Sequence, residues 1–358
     1  MSALNAHDGG AGITTPVDLR SDTVTRPTQE MYEAMRAAPI GDDGLDFDPS
    51  VRALEEGVAG LLGKEQGLFV PSCTMANLLA VLAQTGRSEQ VLLESTAHMF
   101  TSERGAATFT GLFYLGVRGQ RGAMNLNEAE DALKGGTHKL HTGLLAMETS
   151  HNNAGGTVPA LDHMAAVYRM AESRGVPVHL DGARLFNAAV ALGVAAEEMA
   201  ASADTVSVCL SKGLSAPVGA VLVGPSATLA RARRLRRMLG GTQRQAGIMA
   251  AAGLYAVQNM VTRLSDDHRH ALMLSTQINQ LGLAISASQP QTNIVQVDIS
   301  KTGLDSLTWV DNLERAGLRV RPWGADRLRC VTHRHIDDDD IHRAVQCFRA
   351  VLKTGPDA

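Results

Sequence analysis

Aromatic residues make up only 4% of the 358 residues, which leaves few stacking platforms for single-stranded nucleic acid. Positive charge is also short. The 33 Lys and Arg stand against 37 Asp and Glu for a net charge of −4, which argues against a globally basic nucleic-acid or membrane-surface protein, although a local basic patch survives this argument. No apolar run approaches the roughly 18 residues of a membrane helix. The first twenty residues, MSALNAHDGGAGITTPVDLR, have neither a basic start nor an apolar stretch, so no secretion signal is read there and the cytoplasm is the expected compartment. The cysteines, Cys73, Cys209, Cys330 and Cys347, form no CxxC pair, which disfavours a zinc knuckle, a redox motif or a disulfide framework. Tandem repeats and low-complexity linkers are missing as well.

What is present is an ordinary globular composition, 44% hydrophobic and 20% charged, in a chain long enough for about two domains. Residues 1–16 read as a flexible tail with little to bury. From Val17 on, short apolar runs near 67–71, 90–95, 143–150, 176–182, 205–211 and 220–224 alternate with helical patterns such as 161–174 and 244–260. This rhythm predicts an α/β fold whose mainly parallel sheet is covered on both faces, with ligands at the strands' carboxyl ends. Past about residue 265 the pattern changes to a smaller α+β unit. The expected division is a large domain over 17–262, with its N-terminal segment free to pack on the smaller one, and a small domain over 263–358. The acids at 337–340 read as the first turn of a closing helix. His333 and His335 alternate on an expected strand without a third ligand, and no metal site is expected.

Two phosphate patterns fail: GGAGIT follows no strand, and Gly63-Lys64 precedes Glu65 where a P-loop needs Ser or Thr. A better candidate is VPSCTMAN at 70–77, where a strand runs into Ser72, Cys73 and Thr74 and then a helix whose first N–H groups could hold a phosphate. By itself it is also an ordinary Ser/Thr cap. In VHLDGARLFNAA, Asp181 ends an apolar strand and Arg184 follows three residues later. The two could pair with each other, or Asp181 could face a protonated ring nitrogen and leave Arg184 for a substrate carboxylate. In TVSVCLSKGLSAPVG, Lys212 interrupts a nonpolar stretch after a strand, either reaching solvent or desolvated with a lowered pKa as a nucleophile towards an aldehyde. Together, the lysine, the carboxylate upstream and the phosphate cup fit pyridoxal phosphate.

DLRSDTVTRPT at 18–28, GDD at 41–43, VPSCTMAN, HLDGARLFNA, SKGLSAPVG and RRMLGGTQRQAG at 236–247 resemble, in order, the low-specificity L-threonine aldolases of the β-eliminating lyase group. The resemblance implies a fold-type-I, aspartate-aminotransferase-like large domain, a smaller C-terminal domain, and a homotetramer, a dimer of dimers, with active sites at subunit interfaces. It also implies that Lys212 carries the cofactor, that Asp181 meets its pyridine nitrogen and that His98 stacks on its ring. Ser21, Arg184 and Arg329 would hold the substrate's α-carboxylate. Cys73 and Thr74 would form the phosphate cup, and Arg237 and Arg244 would reach the phosphate from a neighbouring subunit. His138 aligns with a second active-site histidine, so His98 or His138 is the candidate base for the β-hydroxyl proton.

Where the family reads GDD-x-Tyr-Gly-x-Asp-Pro, this chain has GDDGLDFDP, with Leu45 at the tyrosine's position and Phe47 nearby, and Cys73 stands where Gly is usual. Leu45 and Phe47 suggest a preference for bulkier, apolar β-substituents, with a repacked loop as the plain alternative. Aminotransferase, β-eliminating lyase and racemase activities share Lys212 and Asp181. The basic helix at 231–239 keeps a nucleic-acid-binding reading open, and a nicotinamide dehydrogenase lacks its glycine fingerprint.

Overall fold

The computed structural model describes residues 15–45, 47–103, 105 and 111–354. Of the expected tail only Thr15 and Pro16 fall among these, as does all but the last four residues of the expected small domain. The apolar runs become a seven-stranded sheet in the order Gln66–Val70, Ala220–Gly224, Thr205–Cys209, Val178–Gly182, His141–Glu148, Glu89–Glu94 and Phe113–Val117. Neighbours are parallel except for Ala220–Gly224, which runs antiparallel to both strands beside it. The strands Val178–Gly182, Thr205–Cys209 and Ala220–Gly224 are buried along their whole length, as a sheet sandwiched between helical layers requires.

Helix starts carry readable caps. Asp48 accepts from Ser50 N and Val51 N ahead of Pro49–Leu61, and Ser72 accepts from Met75 N at 3.2 Å ahead of Cys73–Gln84. The Cys73–Gln84 helix lies on the sheet, because Asn77 reaches Ser207 and His179 on two adjacent strands. The acids at 337–340 cap their helix, with Asp337 accepting from Asp340 N at 2.8 Å. His333 and His335 lie beyond the strand Arg327–Val331. They bind Asp18 O and Arg26 N, which ties the N-terminal segment down.

A second core contains Val17, Leu19, Leu274, Trp309, Leu328 and Phe348. It is built on a four-stranded antiparallel sheet ordered Ser286–Ala287, Ile294–Asp298, Arg327–Val331 and Arg321–Pro322. The first described strand, Val17–Asp18, pairs parallel with Leu318–Arg319, and Val17 belongs to this second core. The chain then turns towards the large sheet, where Thr25 Oγ1 donates to Lys212 O at 2.8 Å. That crossing carries Ser21 and Asp22 to the carboxyl ends of the parallel strands.

Candidate active site

Parallel register lines up Glu148, Asp181 and Ser207 as a row across three neighbouring strands, at or next to the carboxyl ends of the first two. Asp181 is buried and accepts from Asn77 Nδ2 at 3.1 Å and from Ala183 N at 3.0 Å. Burial and the neighbouring charges of Glu148 and Glu103 push its carboxyl up to about 7. Next to it, His98 begins the short helix His98–Thr101, and its Nδ1 meets Glu103 Oε1 at 2.8 Å. Glu103 also takes Thr74 Oγ1 at 3.2 Å and Asn77 Nδ2. The hydrogen bond to Glu103 raises the His98 pKa. One ligand atom each from His98, Glu103 and Asp181 lies within 4.8 Å of the others.

Lys212 follows the strand Thr205–Cys209 in a turn held close by Gly213, where a Cβ would come within 2.8 Å of Leu264 Cδ2. Burial pulls the lysine's pKa down, but Cys209, Cys73 and Asp22 overcome it, so the ammonium sits above its ordinary value. The lysine matches neither of the two states the sequence allowed: it is largely buried rather than reaching out to solvent, and its pKa lies above the ordinary value. Cys73 opens the Cys73–Gln84 helix, its thiol 3.5 Å from Ser207 Oγ, and the first N–H groups of that helix have no acceptor within it.

On the other side of Lys212, Arg184 does not pair with Asp181. Its Nε and Nη2 clasp Asp22 at 2.7 and 2.6 Å, both groups being buried, which holds Asp22 well below the usual carboxylate range. That edge is taken by Asp22, which leaves Nη1 and the second N–H of Nη2 for other partners. Nη1 approaches Asn152 Oδ1 at 3.4 Å, and the same oxygen accepts from Arg329 Nη2 at 2.7 Å. Arg329 forms no ion pair among the described residues, its Nε is buried without a hydrogen bond, and its guanidinium lies 5.3 Å from the centre of the Trp323 ring. Burial and the charge of Arg184 lower its pKa to about 9. Ser21, also buried, caps the turn Asp22–Val24 and accepts from Thr23 N at 3.2 Å.

The structure thus gathers Lys212, Asp181, His98, Cys73, Thr74, Ser21, Arg184 and Arg329. It separates the rest. His138 is exposed before the strand His141–Glu148, at the end away from Asp181, so eight residues of strand, roughly 26 Å, lie between. His138 is thus set apart from its own chain's Asp181. Arg237 is exposed, whereas its neighbour Arg236 is buried against Asp43 at 2.7 Å. Arg244 is exposed near Asp42. Leu45 is 71% exposed, and Phe47 packs between Arg52 and Arg233, each 5.6 Å from its ring centre, so neither lines this chain's own cluster. Sequence reading missed Asp22, Asn77, Glu103, Glu148 and Asn152. Of these, Asp22 and Asn77 were within reach, since they stand inside the quoted stretches DLRSDTVTRPT and VPSCTMAN.

A family model described as Beta-eliminating lyase matches residues 18–302. The chain is 40% identical to low-specificity L-threonine aldolase 1 of Arabidopsis thaliana over 350 residues, covering 96% of this chain and 98% of that one. It is 36% identical to the low specificity L-threonine aldolase of Escherichia coli K12 over 343 residues, 94% of this chain and 99% of that one. A solved threonine aldolase of Leishmania major superposes with a TM-score of 0.81 at 18% identity, over 94% of this chain and all of that one, and shares the fold. The expected α/β, fold-type-I architecture is the one present, with the antiparallel strand noted above.

Proposed function

Because the chain belongs to the β-eliminating lyase family, we propose that it is a pyridoxal-phosphate-dependent aldehyde-lyase. In this reading it cleaves L-threonine, L-allo-threonine and related β-hydroxy-α-amino acids to glycine and an aldehyde. The observation that carries the reading is the charge pattern around Lys212. Asp181 is a buried carboxyl pushed up to about 7 by burial and by the charges of Glu148 and Glu103, while of the two buried arginines Arg184 is ion-paired with Asp22 and Arg329 with no carboxylate among the described residues. A protonated pyridine nitrogen satisfies the first, and an amino-acid carboxylate satisfies the second. The donor set therefore fits pyridoxal phosphate. Asp181 would hold its ring nitrogen, His98 would lie on its ring, Lys212 would bond its aldehyde, and the N–H groups of Cys73 and Thr74 would hold its phosphate, joined by Arg237 and Arg244 of a neighbouring subunit.

When bound, the cofactor supplies a sink for the negative charge left when a bond to Cα breaks. The chain's own residues choose which bond that is. Ser21, Arg329 and the edge of Arg184 that faces away from Asp22 would fix the carboxylate so that Cα–Cβ is the bond presented for cleavage. His98 keeps Nδ1 on Glu103, which leaves Nε2 to take the β-hydroxyl proton. The oxygen's electron pair becomes the aldehyde C=O, and Cα gains a proton to become glycine.

We also place the enzyme in the cytoplasm as a homotetramer, a dimer of dimers, with two units per chain over 17–262 and 263–358. The exposure of Arg237, Arg244, His138, Leu45 and Phe47 supports a site completed by another subunit. Borohydride reduction with peptide mapping tests the reading: the cofactor should be found on Lys212, and threonine should yield glycine without keto acid or ammonia. A modified lysine elsewhere, or ammonia release, overturns it.

A further inference from the structure

Glu148 ends its strand in register with Asp181 and is 6% exposed, yet no lysine or arginine pairs with it among the described residues. Each of its oxygens instead takes a backbone N–H from a different side of the site. Oε2 accepts from His98 N at 2.6 Å, and Oε1 accepts from Asn152 N at 2.8 Å. The first N–H belongs to the histidine beside Asp181. The second belongs to the asparagine whose side chain joins Arg184 to Arg329. Beneath Glu148, the buried His151 ring lies 3.7 Å from Oε2 and 3.2 Å from Glu94 Oε2, so the carboxylate has little room to turn.

We propose that Glu148 is a positioning residue that couples the two sides of the site, fixing the arginine pair through Asn152 and the catalytic histidine through its backbone. Both its oxygens are taken by these N–H groups, so it would act through His98 and Asn152. An ionised carboxylate is suited to this task because both its oxygens accept, and hydrogen bonds to a charged acceptor are the strong ones. A glutamine is the same size but has one accepting and one donating arm, so one of the two N–H groups must face a donor. The inference rests on the proposed function in taking pyridoxal phosphate as the cofactor, Arg184 and Arg329 as carboxylate-binding and His98 as the base.

The test uses the cofactor-loaded protein and glycine, whose binding is read from the visible spectrum and needs no bond cleavage. Glu148→Gln and Asn152→Ala should each weaken glycine binding by about tenfold or more. The double variant should be no weaker than the worse single one, because both changes undo the same bridge. Multiplied losses in the double variant, or unaltered glycine affinity in Glu148→Gln, overturn the inference. Should Glu148→Gln not fold, Glu148→Asp with Asn152→Ala gives the same cycle. A parallel cycle on kcat for threonine, Glu148→Gln with His98→Asn, tests the histidine arm, and additive losses there reject it. Glycine release from threonine by the wild type is a separate measurement: its failure rejects the aldolase reading and leaves the glycine-binding cycle to judge Glu148.

Discussion

On one side of Lys212, Asp181, Glu103 and Glu148 crowd three acids around one half-exposed histidine. On the other, two buried arginines, Arg184 and Arg329, lie near a single buried carboxylate, Asp22, which is ion-paired with Arg184. The acidic side is built almost wholly from strand ends and helix starts of the large sheet. The basic side is assembled from three distant pieces: the N-terminal crossing, the Arg184 turn and a strand of the second sheet. Each side is short of the charge that the other has in excess, yet they do not neutralise each other. Arg184 is held away from Asp181 by its clasp on Asp22, and the two sides remain available for ligands of opposite sign.

The comparison breaks hardest at the centre. Lys212→Ala should lose at least about a thousandfold in glycine release from threonine if Lys212 is the group that bonds the cofactor aldehyde.

The basic side should separate into a structural and a binding half. Asp22→Asn leaves Arg184 buried without its counter-ion and should cost about 3–5 kcal/mol of stability in denaturant titrations near neutral pH. Because the folded-state pKa of Asp22 is depressed, its contribution is present above the ordinary carboxylate pKa and is lost as pH falls below about 4. Arg329→Lys breaks no ion pair, only the hydrogen bond to Asn152 and the contact with Trp323, so it should cost much less stability than Asp22→Asn while raising KM by about tenfold or more. Equal stability losses in both variants would erase the distinction.

The acidic side should show the opposite pH sign. In cofactor-free protein the Asp181 carboxyl is raised to about 7, so the stability it leaves intact below pH 4 is lost as pH rises through about 7. Cofactor-free Asp181→Asn should therefore melt a few degrees higher than wild type at pH 8, with the gap closing towards pH 4. A gap that stays constant with pH would mean that Asp181 is already satisfied by the chain.

The smallest effect belongs to the loop that meets neither side within one chain. Leu45→Tyr should shift the ratio of kcat/KM for phenylserine over threonine by only a few-fold, the worth of a methylene or two. An unchanged ratio would mean that the loop has merely repacked.

Local pattern was enough to find the strands that carry the site, because fully buried strands are continuous apolar runs and their ends fall at Asp181 and just before Lys212. It also marked Ser72 as a helix cap. It did not reveal that Ala220–Gly224 runs antiparallel, since a buried strand reads alike in either direction, nor the edge strand Phe113–Val117, whose residues are partly exposed and give no unbroken apolar run. The pairing of Arg184 was the decisive omission. From sequence its nearest acid is Asp181, three residues away, yet its partner is Asp22, 162 residues away. Composition and periodicity fix which residues must be buried, but a buried charge takes whichever counter-charge packing brings within hydrogen-bond reach. That choice, like the two N–H groups on Glu148 and the Asn152 bridge, depends on how the N-terminal crossing and the second sheet dock on the first, and only the tertiary structure decides it.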